Sequence, residues 1–288
     1  MQHHLGDNSI STLIIDAPIP YGAGKLEWFA LGPHKTLVTV TQWGDLNQPK
    51  GFLFSKILNA LPEAKLGIPP STNAFLLEAL QQRFKDEHAT ALATPIPQMK
   101  FNPQQLQKIA QISQKSGQPV SFIFPNYQIK EGKASENLRF SSTYQYFAHP
   151  VEKLRPWLAA EATQQLFPRQ IKKVELNPVN TQSVDANYKV SVGLGVIQIP
   201  FNFKMRFYQL DSLQNQFNAN GGDLKFVKGG MRLLPQSQGT LFQITSSMKI
   251  HDQAPFLLRA MRSMPYHDVL PALGGNTVYA LKVQQKLR

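Results

Sequence analysis

The sequence predicts an α+β protein in which a curved antiparallel sheet wraps around a long C-terminal helix, an arrangement partly duplicated along the chain. Three observations predict it. First, Asn276-Thr-Val-Tyr-Ala-Leu-Lys-Val-Gln-Gln-Lys-Leu-Arg288 matches Asn73-Ala-Phe-Leu-Leu-Glu-Ala-Leu-Gln-Gln-Arg-Phe-Lys85 in its Asn, its Gln-Gln pair, and its basic and apolar positions. Leu76, Leu80 and Phe84, like Tyr279, Val283 and Leu287, recur at i, i+4 and i+8, so each copy describes a helix with one buried face. Second, Thr240–Thr245 echoes Thr36–Thr41, and Met264-Pro265 answers Leu61-Pro62, so a strand, a proline stop and a helix recur in one order. Third, Tyr188 to Leu210 alternates over a length that only long antiparallel strands use.

The bulk numbers exclude several classes. A chain of 288 residues with 42% hydrophobic and 17% charged residues is long and apolar enough to bury one large core or two ordinary ones. No run reaches the roughly 18 apolar residues of a membrane-spanning helix. The absence of cysteine removes disulfides, thiolate metal sites and a cysteine nucleophile. The first residues carry neither a basic nor an apolar signal-peptide region, and the compartment stays open between cytoplasm and periplasm. The net charge of +12 is uneven: residues 1–88 hold 7 basic against 8 acidic side chains, and residues 151–288 hold 17 against 8. A basic second half attracts an anionic membrane, nucleic acid or an acidic ligand, or simply solvates the surface.

Three segments follow: a partial module over 1–88, a connector over 89–136, and a complete module over 137–288. In the first, Ser11–Asp16 and the hairpin Lys25–Leu31 with Thr36–Trp43 read as strands. A helix carrying Phe52, Leu53, Ile57 and Leu61 is expected to stop at Pro62, and the Pro-Gly-rich run Leu66–Asn73 to break the chain before the repeated helix. In the connector, Asn102 as N-cap, Pro103, Leu106, Ile109, Ala110 and Ser113, with Gly117 beyond, mark a short helix. Val120–Phe124 is a strand that Pro125 should close. In the last segment Leu138, Phe140, Tyr144 and Tyr146 alternate as a strand. Val151, Leu154 and Leu158 take helical spacing that Pro156 should divide, and Ile171–Leu176 alternates again. From Tyr188 to Val196 the apolar residues sit at even positions, and from Ile199 to Phe207 at odd ones, so a turn or bulge must lie near Gly193–Ile197. Asn220–Asp223 is a hairpin turn into Leu224–Leu234 and then Thr240–Ile250.

Ala148-His-Pro150-Val-Glu152-Lys-Leu154 leading a strand into a helix, Pro168-Arg-Gln-Ile171 to Leu176, Gly239–Thr245 and the closing helix with Leu281-Lys282 together resemble the START/Bet v 1-like (SRPBCC) superfamily. That group includes polyketide cyclases, lipid-transfer domains and coenzyme Q-binding proteins. The resemblance covers residues 137–288 and implies a helix-grip fold, with a cavity between the curved sheet and the last helix. The first module matches only the late half of this plan. A sheet lacking its first strands leaves an edge and a helix face uncovered. Two expectations follow: the chain begins inside a domain, or the connector or a second copy of the chain fills the gap.

The implied cavity directs attention to Phe201, Phe203, Met205 and Phe207 on one strand face, with Trp157, Tyr144 and Tyr146 nearby and Met261, Met264 and Tyr279 from the helical end. Ordinary core packing is the competing reading for each. Arg206, Arg232, Arg259 and Arg262 are candidates to meet a carboxylate or phosphate head group, or are solvated surface. Catalytic signals are poor. Gly193-Leu-Gly195 lacks a third glycine, no Gly-x-Ser-x-Gly or phosphate loop occurs, and nothing pairs Glu152, Glu161 or Glu175. His149 reads as a turn residue, and His251 and His267 flank the last helix. No metal or cofactor is called for. The first expectation is therefore binding or transfer of a hydrophobic small molecule: a lipid, quinone or polyketide-like compound. A cyclase or dehydratase acting on a similar ligand is the alternative, and contact with an anionic membrane a further one. Nucleic acid is disfavoured because the basic residues are dispersed among apolar strands.

Overall fold

In the computed structural model the alternating segments form two antiparallel sheets. It describes residues 1–15, 19, 21–33, 35–51, 55–56, 58–59, 62–83, 101–131, 134–194, 197–254, 256, 259, 262 and 267–288. Contacts divide the chain into two units, residues 1–87 with 193–198, and the remainder. Phe52, Leu53, Ile57, Leu61, Met261 and Met264 lie outside the described residues.

The first unit is a four-stranded meander in chain order: β1 (Gln2–Gly6), β2 (Ser9–Ile14), β3 (Gly22–Gly32) and β4 (Lys35–Gly44). Helix α1 (Ala64–Arg83) packs on β4. The expected break at Leu66–Asn73 does not occur, because α1 runs through Pro69 and Pro70. Those residues have no N–H for the carbonyls one turn back. The Thr72 hydroxyl bonds the Ile68 carbonyl at 3.0 Å, adding a donor beside the interruption.

The second unit opens with α2 (Pro103–Ser116), whose start follows the sequence closely. Asn102 and Gln105 form a reciprocal capping box, and Gly117 closes the helix at φ 65°, where a side chain would be strained. Next come β5 (Val120–Glu131) and β6 (Ala134–Phe147). Pro125 does not end β5: the register shifts between Ile123 and Asn126, and a bulge absorbs the missing donor. Because β5 pairs with β6 and α2 packs on β6, this part of the expected connector belongs to the second sheet's unit. Pro156 divides the next helical stretch as expected, into α3 (Val151–Leu154) and a 3₁₀ turn over Arg155–Leu158. Then come α4 (Ala162–Leu166), β7 (Ile171–Asn180), β8 (Ser183–Leu194), β9 (Ile197–Asp211), β10 (Gln214–Gly222), β11 (Leu224–Gln236), β12 (Gly239–Ile250) and α5 (Leu270–Leu287). The eight-stranded sheet has the order β5-β6-β12-β11-β10-β9-β8-β7, so β6 joins the end of a long meander beside its last strand.

Helix α5 packs on β6 and β12, and α2 packs on β6. Ser141 and Ser246 reach α5 through Asn276, which places the odd residues of β6 and the even residues of β12 beneath α5. The main core gathers Phe147, Leu154, Leu158, Tyr188, Met205, Phe207, Phe217, Met231, Phe242, Tyr279 and Val283 on that side. Tyr144, Tyr146, Leu241 and Val120 form a second cluster with Ile109 and Ala110 of α2. Gly229 makes room within the sheet: a Cβ there would come within 2.5 Å of the Phe217 ring.

Candidate functional site

The candidate site is the side of the second sheet beneath α5. On β9 the odd positions Phe201, Phe203, Met205 and Phe207 all pack with the main core, because an unbroken alternation puts every second side chain on one face. Met205 and Phe207 are buried, whereas Phe201, Phe203 and Trp157 are half-buried along its border. Phe203 stacks on Tyr188 at 4.6 Å between ring centroids and neighbours Phe201 at 6.2 Å. Tyr279 reaches down from α5 to Phe242 at 6.3 Å and Phe167 at 6.5 Å. The face so formed is apolar and aromatic.

Three polar clamps fix its wall. The Tyr279 hydroxyl donates to the Trp157 carbonyl at 2.6 Å, and the Tyr188 hydroxyl to the Ala160 carbonyl at 2.8 Å. The Asn215 amide donates to the Leu158 carbonyl and accepts from the Met231 N–H at 3.1 Å. The carbonyls at the 3₁₀ turn and just beyond it, freed by the division at Pro156, thus find donors from the sheet and from α5. Burial pushes both phenols well above their ordinary values, so they stay protonated and keep donating.

Among the described residues on this face of the sheet, one polar side chain keeps an atom without a partner. Gln145 is fully buried on the α5 face of β6, opposite Phe242, which in turn touches Tyr279. Its amide nitrogen bonds the Tyr146 carbonyl at 3.1 Å, and its amide oxygen has no partner. Thr277 on α5 also keeps a buried hydroxyl without one. A buried carbonyl left unpaired costs on the order of 1–3 kcal/mol, so a group positioned this way is available to a bound molecule with a donor.

The structure separates the other sequence candidates from this surface. Tyr144 and Tyr146 lie on the opposite face of β6, among Phe101, Phe122 and the residues of α2. The Tyr146 hydroxyl donates to the Gln238 carbonyl, which ties down the β11–β12 turn. Burial raises the Tyr144 phenol, against smaller opposing effects of Ser142 and Arg232. Arg206 and Arg232 alternate with the core residues of β9 and β11 and therefore face outward. Arg206 makes a two-pronged ion pair with Asp185 at 2.6 and 2.8 Å, which holds that carboxyl below the usual range. Arg232 lines a small polar cleft with Gln214, Gln216, Gln243 and Thr245 on the outer face. Arg259 is exposed, and Arg262 pairs with Asp252 at 2.7 Å. Gln145, Thr277 and the clamp residue Asn215 escaped the sequence reading. A polar residue at a position whose strand neighbours are inward-facing was the only signal for Gln145.

The arrangement is an α+β helix-grip: a curved antiparallel sheet with the last helix laid across its inner face. No family model and no curated protein matches the sequence. Among solved structures the chain is similar to a Thermus thermophilus protein at 16% identity and a TM-score of 0.38, covering 51% of this chain and 98% of that one. It is similar to the di-domain aromatase/cyclase StfQ of the steffimycin biosynthetic pathway at 10% identity and a TM-score of 0.38, covering 96% and 74%. A third similar structure is a STAR-related lipid transfer protein from Xanthomonas axonopodis, at 11% identity and a TM-score of 0.37, covering 56% and 98%.

Proposed function

We propose that the second unit binds and hands on a hydrophobic small molecule, a lipid, quinone or polyketide-like compound with a hydrogen-bonding group, between the sheet and α5. The observation that carries this reading is the buried, unpaired amide oxygen of Gln145, cross-strand from Phe242 on the aromatic face of the sheet. An apolar surface accepts the body of such a ligand, and one polar group orients it. Cyclase chemistry would require a proton donor or acceptor within hydrogen-bond reach of the substrate. Among the described residues, the buried polar side chains beside the tyrosines are Gln, Ser, Thr and Asn with Arg139, with no Asp, Glu or His, and the buried Tyr188 and Tyr279 hydroxyls are already committed to the Ala160 and Trp157 carbonyls. Binding is therefore the better-supported reading.

Native mass spectrometry of the gently purified full chain is expected to show a co-purified lipophile that Nile red displaces. Replacing Gln145→Leu should weaken retention of that compound by about tenfold while leaving Nile red uptake unchanged. A chain that carries no lipophile and takes up no Nile red would sink the proposal.

A further inference from the structure

The last strand of the first sheet differs in its surroundings from its counterpart in the second. In the sequence repeat Asn73 aligns with Asn276, and each lies in the helix that packs on the last strand of its meander. Asn276 is fully used: its amide oxygen accepts from the Ser246 hydroxyl at 2.7 Å, and its nitrogen donates to the Ser141 hydroxyl at 3.1 Å and carbonyl at 3.3 Å. Ser141 belongs to β6, the strand beside β12. Asn73 has a buried amide oxygen with no partner. Among the described residues β4 pairs only with β3, and none of them takes the place that β6 has in the second sheet.

Two more observations mark the same edge. Tyr279 of α5 is 9% exposed, whereas Leu76, its match on α1, is 40% exposed. Edge strands are ordinarily blunted by charges, proline or bulges; β4 has a charge at its first residue, Lys35, and from Thr36 to Trp43 carries no charge and no proline. The described part of the expected connector is already engaged with the second sheet, which removes it as a cover.

We propose that β4 is completed by β4 of a second copy of this chain, in a two-fold symmetric dimer. A two-fold axis perpendicular to a sheet reverses strand direction and preserves the face, so one operation pairs the two edges antiparallel and brings both α1 helices side by side. The Leu76 stripes then cover each other, and each Asn73 amide faces a neighbouring strand. Charge permits this: residues 1–88 carry 7 basic and 8 acidic side chains, so two first units meet without the repulsion expected of the basic second halves.

The test is the mass of the full chain across a concentration series by sedimentation, with hydrogen exchange of β4. The native chain should dimerise, and its β4 amides should gain protection as it does. Thr39→Lys places a charge on the edge while facing Glu27 across the β3 pair, so the sheet itself is retained. Leu76→Lys charges the helix stripe instead. Each should raise the dimer dissociation constant by about tenfold or more, and Leu176→Lys, at a 41% exposed site on β7, should leave it unchanged. A monomer at every concentration overturns the proposal, as does a dimer indifferent to both Thr39→Lys and Leu76→Lys.

Discussion

Asn276 and Asn73 stand at matched positions in two helices, and among the described residues only Asn276 meets a strand beyond the last strand of its meander. With β6 in place, the Asn276 amide satisfies two serines and is 4% exposed. Among the described residues no such strand lies beside β4, and the Asn73 oxygen is buried without a partner. The same difference separates Tyr279, clamped to the Trp157 carbonyl, from the 40% exposed Leu76. A helix lying on a sheet therefore does not complete this arrangement by itself. The strand beyond β12 and the helical segment that follows that strand finish the core, and the aromatic surface beneath α5 exists only where they are present.

Substitutions break the comparison most sharply at the paired stripe positions. Tyr279→Ala removes a core aromatic and a clamp, and should destabilise the second unit by about 3–5 kcal/mol, whereas Leu76→Ala should cost about 1 kcal/mol or less in the dilute chain. Urea denaturation followed by hydrogen exchange resolves the two units. A similar loss at both positions would mean that α1 is as well covered as α5. Next in size, Asn276→Leu strands Ser141 and Ser246 and should cost about 1–3 kcal/mol. Asn73→Leu should be neutral or slightly stabilising at dilution, where no second strand is available.

The smallest effect is electrostatic and confined to the second unit. Arg206 depresses the Asp185 carboxyl, so the folded value lies below the unfolded one, about 3.9. The pair's contribution is thus fully present above that unfolded value and is lost as pH falls through the folded one. Arg206→Gln should shift the acid unfolding midpoint of the native chain upward, by a modest amount because the pair is partly exposed to solvent. An unchanged acid midpoint would show that the pair adds nothing.

Much of the fold was legible because its signals are local. The Asn102 N-cap, the Gly117 stop, the division at Pro156 and the opposite phases of β8 and β9 each lie within a few residues of the structure they determine. Prolines were less reliable. Pro125 is absorbed by a bulge and Pro69 and Pro70 by a continuing helix, since packing overrides a local cost of a few kcal/mol. The site was half legible. Alternation put Phe201 to Phe207 on one face, but it could not say which face of β6 looks toward α5, because α2 buries the other face of that strand equally well.

The sequence by itself determined the periodicities, the caps and the strand whose alternate residues Phe201 to Phe207 share one face. Only the tertiary structure decided that Tyr144 and Tyr146 face away from α5, that Arg206 and Arg232 point outward, and that Gln145 is left with an unanswered oxygen. Periodicity sorts the residues of a strand into two sets, while the long-range pairing of β6 with β12, some hundred residues apart, decides what each set meets.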